Sequence, residues 1–560
     1  MPDQTPRDYY ERRKGALKIE RSSFIPHYQQ LSEFIQPRRG RFQVTDHNKG
    51  EKRHQNIVNS RATQAHRIAR SGMFDGTMSQ ARPWFSLATP DPGLMEFMPV
   101  KVWLRDTEHR LRAVFDKSNL YTMAPVLMGE LILFATGFMS HVDDFEDVAR
   151  FYTHTAGSYM LGQDDRFEIT TACREYEMTT EQMVNEFGLD KVSRSVKDQW
   201  DKGDYDGWHP VTHFIEPNGD ERTASPLSKF KAFSSVKYEP GHEDKDMILS
   251  QKGFDEFPGY APRWDVTAED VYGTDCPAMT ALGDIRGLQL EEKRKAQAID
   301  KSMNPPLKGP ASLRNVPISS LPGGTTLFDG DAQAGQGLAP IYMVNTNIQD
   351  LMLDIERVEG RINEAFYTDL FFAISQARGI QPKNELELTF RDEERLIQLG
   401  PVLQRIHDDF LRKLIDRTFA QLHRGNLLME APEELEGAPL KVEFISSLAM
   451  AQRAVGIGSI DRLAGFVSGL AGVGFESVVD KFDADQAVDE YANLIGSPPR
   501  LVISDEDVAK VREQRAQQLQ RQQVIEMAAQ GAQAAQAAGN ADLEGDNLLS
   551  RGIQAVADRA

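Results

Sequence analysis

Gly283-Asp-Ile-Arg-Gly-Leu-Gln-Leu-Glu-Glu-Lys-Arg-Lys-Ala-Gln-Ala-Ile-Asp-Lys301, followed by Asn304-Pro305-Pro306, is the stretch that decides how this chain folds. The charged run predicts a helix. The prolines stop it, because proline lacks the donor a helix interior needs and restricts the residue before it. Residues 307–345 are rich in Gly and Pro with only short apolar runs, which predicts an irregular insert. Thr346-Asn-Ile-Gln349 has the form of a capping box and opens a second helix. There Ile348, Met352, Ile355, Val358, Ile362, Phe366 and Leu370 recur at three and four, the helical period. Val266 to about Arg378 is therefore expected to be an antiparallel stalk with a small domain at its tip.

The bulk properties bound what such a stalk belongs to. A chain of 560 residues holds three or four domain-sized units and can bury large cores. A net charge of −20 argues against an outer surface that grips nucleic acid by charge, though not against one through which nucleic acid passes without sticking. Cys173 and Cys276 are the only cysteines, which excludes a disulfide framework or thiolate metal cluster. Met1 to Arg21 is basic and polar with no apolar core, so no signal peptide is expected. The longest apolar run, Ala124 to Met139, carries Pro125 and Glu130 and falls short of the roughly 20 residues of a membrane span. It reads as a buried helix.

Outward from the stalk, the N-terminal side reads as helices over 5–38 and 52–71, the second stopping near Gly72. Then come an extended segment, Arg82-Pro-Trp-Phe-Ser-Leu87, and helices over about 99–117 and 122–136. From 138 to 260 short strands and turns take over, with marked acidity at 142–147, 164–167 and 174–178. Thr179 to Gln182 starts a short helix ending at Phe187-Gly188, and Trp208 to Glu216 is a strand leading to a hairpin-type turn at Pro217-Asn-Gly-Asp220. On the C-terminal side, residues 379–384 are a loop and about 387–424 a long helix kinked at Pro401. Leu396, Leu399, Leu403, Ile406, Phe410, Leu414, Ile415 and Phe419 share one face of it. Leu440 to Ile445 is a strand, and 447–520 are short helices. Gln517 to Gly539 is Gln/Ala-rich, with helix propensity but little apolar stripe.

Catalytic constellations are missing from this pattern. No Gly-x-x-x-x-Gly-Lys-Ser/Thr loop and no Gly-x-Ser-x-Gly elbow occur, and the Gly-rich run 330–337 lacks a following Lys or helix. His141, Asp143 and Asp144 are the one set that could serve a metal-dependent hydrolase, a reading set beside the structural one. His209 and His213 share a strand face roughly 13 Å apart, too far for one zinc ion, and read as structural. His407-Asp408-Asp409 reads as a solvated helix face, and the Arg-rich Gln36-Pro-Arg-Arg-Gly-Arg-Phe42 as a solvated helix terminus or a phosphate contact. No catalytic residue, metal or cofactor is expected.

The order of these local signals resembles the portal, or head-to-tail connector, proteins of short-tailed double-stranded DNA bacteriophages, over roughly 20–520. Gln36 to Phe42, Arg82-Pro-Trp-Phe85 and Arg174 to Gly188 carry the resemblance. So do Pro262-Arg-Trp264, Tyr272-Gly273, Ala281 to Ile285, Asn304-Pro-Pro306, Leu399 to Arg405 and Ser447 to Arg453. The chain departs from the pattern at Lys383 to Thr389, where relatives place a short Thr/Ala-rich acidic motif.

What the resemblance implies is an α+β, mainly α, fold with wing, stem, clip and crown, assembled as a ring, typically of twelve subunits, at one capsid vertex. Residues 1–265 would be wing, 266–303 and 346–378 the stem helices, and 304–345 the clip. Residues 379–440 would hold a tunnel loop, the long channel helix and more wing, 441–520 the crown, and 521–560 an Ala/Gln-rich tail or barrel. Arg378, Gln381, Lys383 and Asn384 resemble the tunnel loop that touches DNA, with a solvated turn as the plainer reading. Lys308, Arg314, Phe328 and Asp329 would be clip positions for partner docking. The implied partners are further copies of the chain, the terminase large subunit, tail adaptors, major capsid and scaffolding proteins, and DNA passing non-specifically. The protein would sit in the virion after assembly in the host cytoplasm, with no membrane and no enzymatic activity of its own. Another virion ring or adaptor protein is the alternative of the same class.

Overall fold

The computed structural model describes residues 5–45, 50–91, 93–94, 97–222, 225–267, 269–303, 305, 307–308, 339–340, 348–376, 398–435, 440–445, 457–472, 481–488, 508, 510–520 and 522. The chain forms two compact units, Met1–Gln452 and Arg453–Ala560.

In the first unit, α1 (Pro6–Ser22) starts at Thr5, whose hydroxyl accepts from the Asp8 N–H, with Pro6 in the first turn where its missing donor is harmless. It stops at Ser23, and α2 (Ile25–Ile35) follows, so the single helix expected over 5–38 is two. The next helix, α3 (Arg61–Met78), begins later than the expected 52–71 and runs straight through Gly72. That glycine is a packing position and not a stop. A Cβ on it would lie 2.3 Å from the ring of Phe371.

After β1 (Phe85–Ala88) come α4 (Met98–Lys117) and α5 (Leu120–Phe134), the second being the apolar run read as a buried helix. Leu127, Met128 and Leu131 to Phe134 are fully buried. Its one ionisable residue in the centre, Glu130, is buried too. It survives there because Arg39 donates to it at 2.8 Å, Thr155 at 3.0 and 3.1 Å, and the Ala156 N–H at 3.0 Å.

The acidic region is β-rich as expected. It holds β2 (Phe138–Asp144), β3 (Val148–His154), β4 (Tyr159–Gln163) and β5 (Ile169–Thr179), then α6 (Thr180–Phe187) and α7 (Arg194–Asp201). β6 (Trp208–Pro217), β7 (Phe233–Tyr238), β8 (Ser250–Phe254) and β9 (Gly259–Tyr260) complete it. Strands β4 to β8 form a five-stranded antiparallel sheet in sequence order, and β3, β2 and β9 a three-stranded one. Helix α6 opens with a full capping box between Thr179 and Gln182 and ends at Gly188. The turn expected at 217–220 is only the start of a longer connection over 218–232. Asn218 stabilises it by donating at 2.9 Å to the carbonyls of Lys229 and Lys231.

The remaining elements are α8 (Pro277–Met303), β10 (Leu307–Lys308), β11 (Ala339–Pro340), α9 (Ile348–Ala365) and α10 (Thr368–Gln376). A helix α11 over 398–424 and β12 (Lys441–Phe444) follow. Strand β12 pairs antiparallel with β1, Phe444 opposite Phe85, so the strand expected at 440–445 closes against the N-terminal extended segment. One large core joins α2, α3, α5, the root of α8, α9, α10 and α11. The second unit holds α12 (Ile457–Gly472), which takes Ile457 and Gly458 of the Gly456-Ile-Gly458 stretch expected to separate helices into its first turn, and an Asp485–Arg512 ion pair at 2.6 Å. Both cysteines are buried and unpaired. No helix among the described residues is long and apolar enough to cross a membrane.

Candidate functional site

The stretch that decides the fold is a helical hairpin. Arg361 on α9 pairs with Asp284 on α8 at 2.7 Å, and Asp354 acts on Glu291 about two turns further out. One sequence number falls as the other rises, so the helices are antiparallel. The root is buried through Ala281, Ile285 and Leu288 on α8, Ile355, Val358 and Ile362 on α9, and Phe366 just after it. Further out, Leu290, Ile299, Met303, Met352 and Leu353 are exposed. Met352, expected on the apolar stripe, is therefore outside the core: the stripe continues past the point where the body ends.

The loop before α3 fixes the root. Gln289, itself buried, accepts from the N–H groups of Val58 (2.7 Å) and Asn59 (2.8 Å) and donates to the Asn59 carbonyl at 2.9 Å. The Asn59 side chain donates to Glu292 on α8 (3.1 Å) and to Glu359 on α9 (2.8 Å), so one amide bridges both arms. Arg61 Nε adds a 2.8 Å bond to Asn363. Sequence reading missed Asn59 and Gln289. The one available signal was a lone Gln on the inner face of a charged helix, which points to a buried polar contact but not to its partner.

The second arm is not one helix over 346–378. It breaks at Tyr367, whose φ of 55° is left-handed, and resumes as α10. Thr368 Oγ1 donates to the Asn363 carbonyl at 3.2 Å across the break. The periodic stripe is continuous in sequence because Ile362 on α9, Phe366 in the break and Leu370 on α10 all enter the same core. Helix α10 then leads toward Arg378, Gln381, Lys383 and Asn384, which lie outside the described residues, as do Thr346 and the glycines of 330–337. At the far end of the hairpin, β10 and β11 pair antiparallel, Leu307 opposite Pro340 and Lys308 opposite Ala339. This two-residue ladder brings the insert's ends together. Lys308 is placed by it, while Arg314, Phe328 and Asp329 lie outside the described residues.

The histidine sets disperse. His141 is buried on β2 and shares a 2.6 Å hydrogen bond with the Tyr260 hydroxyl; burial holds its imidazole well below the usual range. Asp143 faces Arg417 at 3.4 Å and Gln421, and Asp144 turns into the β2–β3 connection. Among the described residues no three His, Cys, Asp or Glu side chains are grouped to hold a metal ion. His209 bonds Gln199 at 2.8 Å and His213 bonds Ser235 at 2.9 Å. Buried His66, bonded to the Gly129 carbonyl at 2.9 Å, has its pKa pushed down to about 3 by burial.

His407-Asp408-Asp409 is not a plain solvated face. Residues His407–Arg412 form a π-helical segment inside α11. His407 stacks on Phe444 with centroids 4.1 Å apart, and Asp409 pairs with Arg263 at 3.7 Å, burial raising its carboxyl pKa. Insertions of this kind re-aim side chains, which no periodicity count anticipates. Nearby Arg417 is almost fully buried, held by Asp143 and by Glu256 at 3.3 Å. The Arg-rich segment 36–42 is structural in part, since Arg39 neutralises Glu130.

Known proteins resemble this chain over most of its length. The family model described as "Bacteriophage head to tail connecting protein" matches residues 7–503. The "Portal protein" of Salmonella phage epsilon15 is 43% identical over 514 residues, covering 92% of each chain. The "Probable portal protein" of Bordetella phage BPP-1 is 41% identical over 517 residues, again 92% of each. Among solved structures, a chain from "Neck of empty GTA particle computed with C6 symmetry" aligns with 83% of this chain and 98% of its own, at 11% identity and a TM-score of 0.36.

Proposed function

This chain belongs to the bacteriophage head to tail connecting, or portal, protein family, and from that premise we propose that it forms the ring at one capsid vertex through which genomic DNA enters and leaves. The observation that carries the reading is the 43% identity to a portal protein across 92% of both chains. The hairpin of α8 and α9 supports it. Its root is locked into the body and its outer half presents apolar residues between charges, as helices packed side by side around a ring would.

In this reading the hairpin is the stem, 304–345 the clip, and 441–520 the crown. Twelve copies close the ring. The terminase large subunit docks at the clip during packaging and tail adaptors replace it, with Lys308, Arg314, Phe328 and Asp329 as contact candidates. Major capsid and scaffolding proteins surround the wing after assembly in the host cytoplasm. Arg378, Gln381, Lys383 and Asn384 touch the passing DNA. The net charge of −20 suits a conduit, because each retained phosphate contact would add affinity and hence drag. The chain's own residues supply a passage, and the chemical work falls to the docked motor.

The test is the assembled mass of purified protein. Twelve subunits of 62.9 kDa give roughly 0.75 MDa and closed rings in electron micrographs. A monomer under all solution conditions overturns the reading.

A further inference from the structure

The β2–β3 hairpin ends in a tip for which the single subunit has no use. Phe145 is fully exposed, at 109% of its reference area, with Val142 and Tyr152 exposed below it. The turn is nevertheless tightly built. Asp144 Oδ1 accepts from the N–H groups of Glu146 (2.7 Å) and Asp147 (3.2 Å). Lys117, at the end of α4, pairs with Asp147 at 3.3 Å and donates to the Glu146 carbonyl at 2.5 Å. Val148 adopts a φ of 69°, which β-branched residues avoid. A turn so constrained holds an aromatic ring out in water.

The carboxylates around it are mostly answered within the subunit: Asp143 by Arg417, Asp144 by Arg150 at 3.8 Å, and Asp147 by Lys117. Glu146 is exposed and ion-pairs with no described residue.

A complementary feature lies at the other end of the same hairpin. The Gly40 N–H donates to Thr155 Oγ1 at 2.7 Å and the Arg41 N–H to the Ala156 carbonyl at 2.8 Å, which brings segment 37–42 against the hairpin's base. There Pro37 and Phe42 are the apolar part of an open pocket of about 330 Å³ whose remaining lining is polar, with Lys52, Arg53 and Glu33 among it. Glu33 is bonded by Asn56, and Arg53 lies 3.4 Å from Glu51. Lys52 is exposed and ion-pairs with no described residue. Strand β3 rises ~3.3 Å per residue, so its length separates tip from base by roughly 20 Å. A subunit's own Phe145 does not reach its own pocket.

An aromatic knob beside an unanswered carboxylate, and an open, largely polar pocket with Phe42 and Pro37 in its wall beside an unanswered ammonium, are two different faces of the kind a closing head-to-tail contact requires. We propose that Phe145 of one copy seats against Pro37 and Phe42 of the next, with Glu146 meeting Lys52. This rests on the ring reading and assigns its repeating contact.

The experiment uses the full chain and reads the ring fraction by sedimentation and electron microscopy at fixed protein concentration. Phe145→Ala, Glu146→Lys and Lys52→Glu should each lower apparent assembly affinity by about tenfold or more. The double variant Glu146→Lys with Lys52→Glu should regain it. Melting midpoints should stay at the wild-type value, since all three side chains are exposed. Single variants that assemble like wild type, or a double variant no better than the singles, overturn the contact. The charge exchange tests the contact even if Phe145→Ala disturbs the turn. Wild-type protein that forms no rings overturns the ring reading and the contact with it, whereas wild-type rings with indifferent variants overturn the contact alone.

Discussion

A methyl group on Gly72 would lie 2.3 Å from Cγ and 2.6 Å from Cβ of Phe371. Helices α3 and α10 are therefore in contact through a glycine and a ring, and rotating the ring does not relieve the clash with its Cβ. Gly72→Ala should destabilise the first unit by about 1–3 kcal/mol, the usual range for overpacking. The direction opposes the ordinary benefit of alanine in a helix interior. Chemical denaturation measures it. The double variant with Phe371→Ala should lose less than the sum of the two single changes. A Gly72→Ala protein as stable as wild type would show that α10 is not packed there.

The polar clamp at the root of the hairpin makes a local prediction. Gln289→Ala takes the acceptor from two part-buried backbone N–H groups, at Val58 and Asn59, and should cost about 0.5–1.5 kcal/mol. Because Asn59 also bridges Glu292 and Glu359, the loss should be felt in both arms. Hydrogen exchange should quicken in α8 and α9 and leave the five-stranded sheet unchanged. Uniform protection across α8 and α9 in the variant would mean the clamp does not hold them.

Burial also sets a dependence on pH. His66, with Arg39 and Arg70 nearby, titrates at about 3 in the folded chain, and His213 is moved to about 3 by burial with Lys237 and Arg174 adding to it. Unfolded histidines titrate near 6.5. Between about 6.5 and 3 the unfolded chain binds protons that the folded one refuses, so stability is complete above that window and falls as pH drops through it. The slope is about 1.4 kcal/mol per pH unit for each such histidine. Urea midpoints at pH 7 and pH 5 measure it, and His66→Gln should flatten the slope. An unchanged slope in that variant would assign the acid sensitivity elsewhere.

Much of the scaffold was legible because it depends on local rules. The capping box at Thr179, the prolines after Met303 and the apolar run through Leu127 and Phe134 each act within a turn or two of chain. Gly72 misled because a glycine's meaning depends on what approaches it, and Phe371 is far away in sequence. Tyr367 was invisible because the two helices it separates feed one core, leaving the stripe unbroken. Asn59 and Gln289 were missed since a polar clamp has no periodicity. The departure of α11 from α geometry at His407–Arg412 was not legible, because its tertiary partners Phe444 and Arg263 are distant in sequence.

That π-helical segment gives α11 a phase. An α-helix turns about 100° per residue, and a widened turn accommodates residues that strict α winding would carry onto another face. Upstream, Leu399, Leu403 and Ile406 face the core; downstream, Leu414, Ile415 and Leu422 do so again. The two halves are geared to their surroundings separately, with the wide turn as the offset between them. Substitutions on the outer face of such a helix leave the offset intact. Losing a single residue from it would swing everything beyond by about a quarter turn and carry Arg417 away from Glu256. In this helix, spacing is a sharper constraint than side-chain identity.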